Sequence, residues 1–189
     1  MIRLTIALAV LLTAIAARPA LAASEEVWSA LMSQPAIIFL RHAQTTPGTG
    51  DPPNFALDDC STQRNLGDRG RQQARDFGQA LRTAGVQVGK VLTSPWCRSR
   101  ETAELMAVGP VAESDLIASI WNDRITNPDR SNELRVFIQA WQGPGVLLLV
   151  SHGINIRRLL GLGAGQGGGY VLLPDPEVEG GLRVIGRVP

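Results

Sequence analysis

The chain has two histidines, and each stands at the end of a run of apolar residues. His42 closes Ala36-Ile37-Ile38-Phe39-Leu40-Arg41-His42, and His152 closes Val146-Leu147-Leu148-Leu149-Val150-Ser151-His152. An imidazole can act as a nucleophile or exchange a proton near neutral pH. The guanidinium of Arg41 stays charged and presents a planar fork to carboxylate or phosphate oxygens. Brought together, these groups would hold an anion and attack it. Arg98 and Arg100 add a second cationic feature in the first turns of a predicted helix. Cations oppose the helix macrodipole there. A bound anion would account for them, and so would plain surface exposure.

Both apolar runs are too short for a helix and fit strands buried on both faces, as in a parallel sheet. In open α/β sheets ligands bind just beyond the carboxyl ends of the strands. If the two strands are neighbours, both imidazoles enter one crevice. Helices are predicted over Ser24–Ser33, Gly70–Ala84, from about Pro95 to Met106, over Ser131–Trp141 and over Ile154–Leu160. Further strands are predicted over Val86–Leu92 and, at a sheet edge, over Tyr170–Leu173 and Leu182–Val188. Leu134, Phe137, Ile138 and Trp141 recur at helical spacing and read as core. Ser131 is the expected cap of that helix. Val111–Asn132 reads as irregular. Gly161–Gly169 lacks the spacing of a nucleotide loop and reads as a flexible connector. Thr45–Asn65, rich in Pro and Gly, reads as an ordered loop over the site. Its Asp58 and Asp59 suit a solvated acidic surface better than a metal site.

The composition bounds the function. The chain has 189 residues, 44% hydrophobic and 19% charged, as expected for one globular domain with a real core. The net charge is +1 and no basic tract stands out, so nothing suggests nucleic acid as a partner. Arg3, the apolar stretch Leu4–Ala17 and Ala20-Leu21-Ala22 have the form of a secretory signal over residues 1–23. This leaves a single domain over 24–189, with no stable membrane insertion after cleavage and a periplasmic or secreted location. A retained N-terminal anchor is the alternative. Cleavage after Ala22 removes Arg3 and Arg18 from 18 basic residues and none of 17 acidic ones, giving −1. In an oxidising compartment Cys60 and Cys97 are expected to be bridged, two buried thiols being the alternative. Two histidines without a clear third ligand make a poor metal site, and no metal or other cofactor is expected.

Arg41-His42-Ala43-Gln44-Thr45 resembles the Arg-His-Gly-Glu-Thr motif of the histidine phosphatase (phosphoglycerate mutase-like) superfamily. Ser94-Pro95-Trp96-Cys97-Arg98-Ser99-Arg100-Glu101-Thr102-Ala103 resembles its second arginine motif, and Ser151-His152-Gly153 its second histidine motif. Leu66, Gly70 and Gln73-Ala74 resemble the intervening helix. The similarity runs in order from Ala36 to about Leu160. It implies a three-layer α/β/α sandwich with a mostly parallel central sheet. It further implies phosphomonoester hydrolysis through a phosphohistidine on His42, without a metal. Arg41 and Arg98 would clamp the phosphoryl oxygens and His152 would stabilise their charge. Gln44 and Thr45 would contact substrate, although Ala43-Gln44 replaces the usual Gly-Glu. An alkoxide leaves poorly without a proton; Asp123 is the expected general acid, with Glu113 and Asp115 behind it. The expected substrate is a small phosphate ester. A phosphohistidine-protein phosphatase and a non-catalytic binder of phosphorylated sugar or envelope glycan are the alternatives.

Overall fold

The computed structural model describes residues 25–33, 35–120 and 130–188. Its centre is a six-stranded sheet. Strand β1 (Ile37–Arg41) lies parallel to β4 (Val146–Ser151), with Arg41 opposite Ser151. Beyond β4 lie β2 (Val88–Thr93) and the short edge strand β3 (Val111–Glu113), both parallel. On the other side of β1, β5 (Gly169–Pro174) runs antiparallel to it and β6 (Leu182–Val188) antiparallel to β5.

The alternation of side chains along β1 and β4 explains the layering. Ile38, Leu40, Leu148 and Val150 share one core with Phe77 and Leu81 of α2 (Asp68–Thr83) and with Ala103 and Met106 of α3 (Cys97–Met106). Val27 and Leu31 of α1 (Glu25–Ser33) join them. Ile37, Phe39, Leu147 and Leu149 face the other way. They pack on Leu134 and Ile138 of α4 (Ser131–Gln139) and on Ile156 and Leu159 of α5 (Gly153–Leu160). Each full burial of such a side chain is worth roughly 1.5–3 kcal/mol. Neither face can be exposed, so the sheet becomes the middle of three layers.

Four local readings of the sequence need correction. Val111–Glu113 pairs with β2 as a strand; three residues carry no detectable alternation. Ser131 is the first helical residue of α4, and the N-cap position falls to Arg130. That helix ends at Gln139, short of Trp141, whose indole N–H instead donates to the Gly145 carbonyl at 3.1 Å. The glycine-rich stretch before β5 is pinned rather than loose. Gly167 donates to the His42 carbonyl at 2.9 Å, and Gly168 accepts from the Arg41 amide at 2.9 Å. Gly169 is required at the crossing, because a Cβ there would stand 2.3 Å from the Phe39 carbonyl oxygen. These contacts close one side of the crevice at the end of β1.

Candidate active site

The ends of β1 and β4 open into a cavity of about 850 Å³. Arg41, His42, Arg98 and His152 all line it. The parallel pairing puts the two imidazoles side by side, with ring centroids 5.5 Å apart. Both histidines are buried.

His42 Nδ1 lies 2.9 Å from the Ala43 carbonyl oxygen. A carbonyl only accepts, so Nδ1 carries the proton and Nε2 keeps a lone pair. Burial, then the charges of Arg98, Arg41 and Arg64, push the His42 pKa down to about 3, against the opposing effect of the Ala43 hydrogen bond. The ring is therefore neutral at physiological pH, as a nucleophile must be. His152 is also held well below its ordinary value, by burial first and then by Arg98, His42, Arg41 and Arg64. Its Nε2 lies 2.8 Å from Ser94 Oγ, leaving Nδ1 without a protein partner among the described residues. The Trp96 ring meets it edge-on, with centroids 5.3 Å apart.

Arg41 Nη1 donates to the Ala164 carbonyl at 3.0 Å. The guanidinium lies against Gly153, where even a Cβ would approach its Cδ, Nε and Nη1 to 3.3–3.4 Å. Arg98 pairs with Asp51 at 2.7 Å, and both side chains are only 6% exposed. Burial lowers the Arg98 pKa and Asp51 opposes that shift; burial and then Arg64 lower that of Arg41. The Nε atoms of Arg41 and Arg98 are buried and have no hydrogen-bond partner among the described residues. A buried donor left unpaired costs about 1–3 kcal/mol. The two guanidinium groups line one cavity, which suits it to an anion.

The other sequence candidates fall elsewhere. Gln44 is exposed and absent from the cavity wall, and its amide donates to Gln73 Oε1 at 3.1 Å. Thr45 is buried beneath the cavity, where its hydroxyl accepts from Arg64 and Gln166. Arg100 points away and pairs with Glu113 at 2.9 Å. Neither Glu113 nor Asp115 lines the cavity. Asp123 lies outside the described residues. Cys60 and Cys97 form a disulfide. Among the described residues no cluster of His, Cys, Asp or Glu could hold a metal, Asp58 and Asp59 included.

Among the lining residues that escaped the sequence reading are Asp51, Arg64 and Trp96. Asp51 accepts from Arg98, from the Arg64 amide at 3.0 Å and from Trp96 Nε1 at 3.2 Å. The only available signal was that Arg64 is the sole basic residue between Arg41 and Arg69.

Parallel strand ends and the first turn of α3 bring two arginines and two buried, neutral imidazoles to one cavity of an α/β fold, an arrangement suited to an anion. Residues 37–117 match the family model described as histidine phosphatase superfamily (branch 1). No curated protein sequence matches the chain. Among solved structures the fold is similar to that of the protein histidine phosphatase SixA complexed with tungstate. That likeness has a TM-score of 0.56 and 16% identity over 79% of this chain and 93% of the other. It is similar also to the mycobacterial glucosyl-3-phosphoglycerate phosphatase bound to VO3, with a TM-score of 0.57 and 18% identity over 79% and 96%. A candidate phosphohistidine phosphatase SixA from Agrobacterium tumefaciens gives 0.55 and 18% over 82% and 98%. Over residues 37–117, which is under half of the chain, the protein is similar to the histidine phosphatase superfamily.

Proposed function

We propose that the protein is an exported, single-domain phosphomonoester hydrolase that works through a phosphohistidine on His42. The observation that carries this reading is the pairing of a neutral His42, its Nδ1 already committed, with the unpartnered Nε atoms of Arg41 and Arg98. Nε2 of His42 attacks phosphorus, the ester oxygen leaves, and water then cleaves the phosphorus–nitrogen bond. That splits one displacement into two easier ones. Arg41 and Arg98 hold the equatorial oxygens, and His152 supports their developing charge; catalysis is positioning and electrostatics. The helices α3 and α5 both begin at this cavity, and their N-terminal dipoles favour an anion there.

The signal segment over 1–23, the domain over 24–189 and a periplasmic or secreted location belong to the same proposal. The Cys60–Cys97 disulfide is compatible with export. Asp123 is the proposed general acid. Ser119 lines the cavity, and Asp123 is four residues further along the chain. The substrate is a small phosphate ester. A second reading, a phosphatase of phosphohistidine, draws on one observation: Asp51 is the sole carboxylate lining the cavity among the described residues, and it is engaged as an acceptor. A phosphoramidate leaving group needs less help from an acid.

The test compares aryl and alkyl phosphates with wild type, His42→Ala and Asp123→Asn. Wild type is expected to turn over both, unaffected by chelator. His42→Ala is expected to lose both, and Asp123→Asn the alkyl ester selectively. Full activity in His42→Ala would overturn the mechanism.

A further inference from the structure

We infer that Arg64, carried by the disulfide-anchored loop, is a third phosphoryl-binding arginine of the site. The inference rests on the phosphatase reading above and adds a residue to it.

Arg64 lines the same cavity as Arg41, His42, Arg98 and His152. Its side chain is fixed in place. Nε donates to the Gly50 carbonyl at 2.8 Å, and Nη1 donates to Thr45 Oγ1 at 2.6 Å and to the Gly48 carbonyl at 3.2 Å. Thr45 Oγ1 is itself held by Gln166 Nε2 at 3.0 Å. Those contacts leave Nη2 without a partner among the described residues. Every acceptor is neutral, so the guanidinium also has no counter-charge there. Its positive field reaches the other four pocket groups, pressing on His42, His152, Arg41 and Arg98 alike. Three guanidinium groups converging on one cavity repel one another, and the one carboxylate lining it among the described residues, Asp51, has its side-chain ion pair with Arg98.

The charges identify the offset. Among the described residues that line the cavity and are not exposed, Arg41, Arg64 and Arg98 contribute +3, Asp51 contributes −1, and the two neutral imidazoles contribute nothing, a balance of +2. A phosphate monoester carries up to about −2 near neutral pH. Without Arg64 the balance would be +1, one charge short. Arg157 also borders the cavity, but it is exposed and solvent screens it.

The loop is built to deliver this residue. Cys60 is bridged to Cys97, the neighbour of Arg98. Gln63 Oε1 accepts from the Cys97 amide at 3.0 Å, meeting one of the orphan donors at the start of α3. The Arg64 amide donates to Asp51, which holds Arg98. Arg64 and Arg98 are thus tied to each other at three points.

The experiment measures tungstate affinity by calorimetry and kcat/KM on an aryl phosphate, for wild type, Arg64→Met, Arg64→Lys and Thr45→Val. Arg64→Met is expected to weaken tungstate binding about 10- to 100-fold, as for loss of one charge-assisted contact. It should lower kcat/KM at least as much. Arg64→Lys is expected to recover part of both. Thr45→Val keeps the charge but removes the shortest of the three bonds that hold the side chain, and is expected to lose about 3- to 10-fold. It also serves if Arg64→Met does not fold. Tungstate binding and turnover at wild-type level in Arg64→Met, or in Thr45→Val should Arg64→Met not fold, would overturn the inference. If wild type binds tungstate in an Arg64-dependent way but hydrolyses no phosphate ester, the phosphatase reading fails and the role of Arg64 stands.

Discussion

The cavity has two halves of different construction. One half is strand-built: Arg41 and His42 stand at the end of β1, and His152 directly follows β4. The ladder between Arg41 and Ser151 fixes their separation. The other half is loop-built: Asp51 and Arg64 come from the long stretch between β1 and α2, held by Cys60–Cys97, by Gln63 and by Thr45. The strand half holds its groups through backbone hydrogen bonds and a core buried on both faces. The loop half holds its groups through side-chain bonds and one covalent link. The contrast implies that the chemistry belongs to the sheet, while the charge balance and the shape of the pocket belong to the loop.

The sharpest way to break that division is Arg98→Ala, since Arg98 joins the halves. It removes a buried cation from the cavity wall and strands Asp51 without its partner. A fall in kcat of about 10²- to 10³-fold is expected, the size seen when one donor to a developing oxyanion is lost. Steady-state kinetics on an aryl phosphate checks it. Reduction of the disulfide tests the loop half alone. Opening a bridge across a sequence separation of 37 should lower stability by about 3–4 kcal/mol in the chain-entropy model. Tungstate affinity should drop more than the strand ladder loosens. Denaturant melts with and without reductant, together with hydrogen exchange at β1 and β4, would show this.

Acid tests the strand half. Both histidines have depressed values in the folded state, that of His42 about 3, so as the pH falls below 6.5 the unfolded chain binds protons that the native site refuses. Stability therefore falls as the pH drops below 6.5. Melting temperatures measured from pH 7 to 4 should decline, and the decline should be shallower in a His42→Ala variant. The smallest effect belongs to Gln44, which resembled a substrate residue by position in the motif. Exposed and tied to α2 through its backbone, Gln44→Ala should change kcat/KM by less than about 3-fold, within the range of ordinary surface substitutions.

The same division governed what could be read from the chain. Ile37–Leu40 and Leu147–Val150 are apolar at every position, which only a strand buried on both faces satisfies, so the sheet and its two histidines were legible. Arg98 was legible only through the motif it resembles, since a cation in a first helical turn calls for a reason equally at Arg100, which pairs with Glu113. Asp51 and Arg64 were not, because their roles depend on where a Pro- and Gly-rich loop returns in space. No periodicity encodes that path. The segment before β5 was misread for a related reason: glycine content signals freedom, while the backbone bonds from Gly167 and Gly168 to residues 41 and 42 take it away. Trp96 was read within a motif and not as a wall, since only the folded chain sets its ring against His152.

The central claim is that His42 carries the phosphoryl group. Rapid acid-free quenching of the protein with a radiolabelled aryl phosphate, followed by peptide mapping, addresses it directly. The expected result is a base-stable, acid-labile label on the peptide containing His42, formed within one turnover and absent from His42→Ala. Turnover with no label on that peptide, or a label that persists in His42→Ala, would contradict the account.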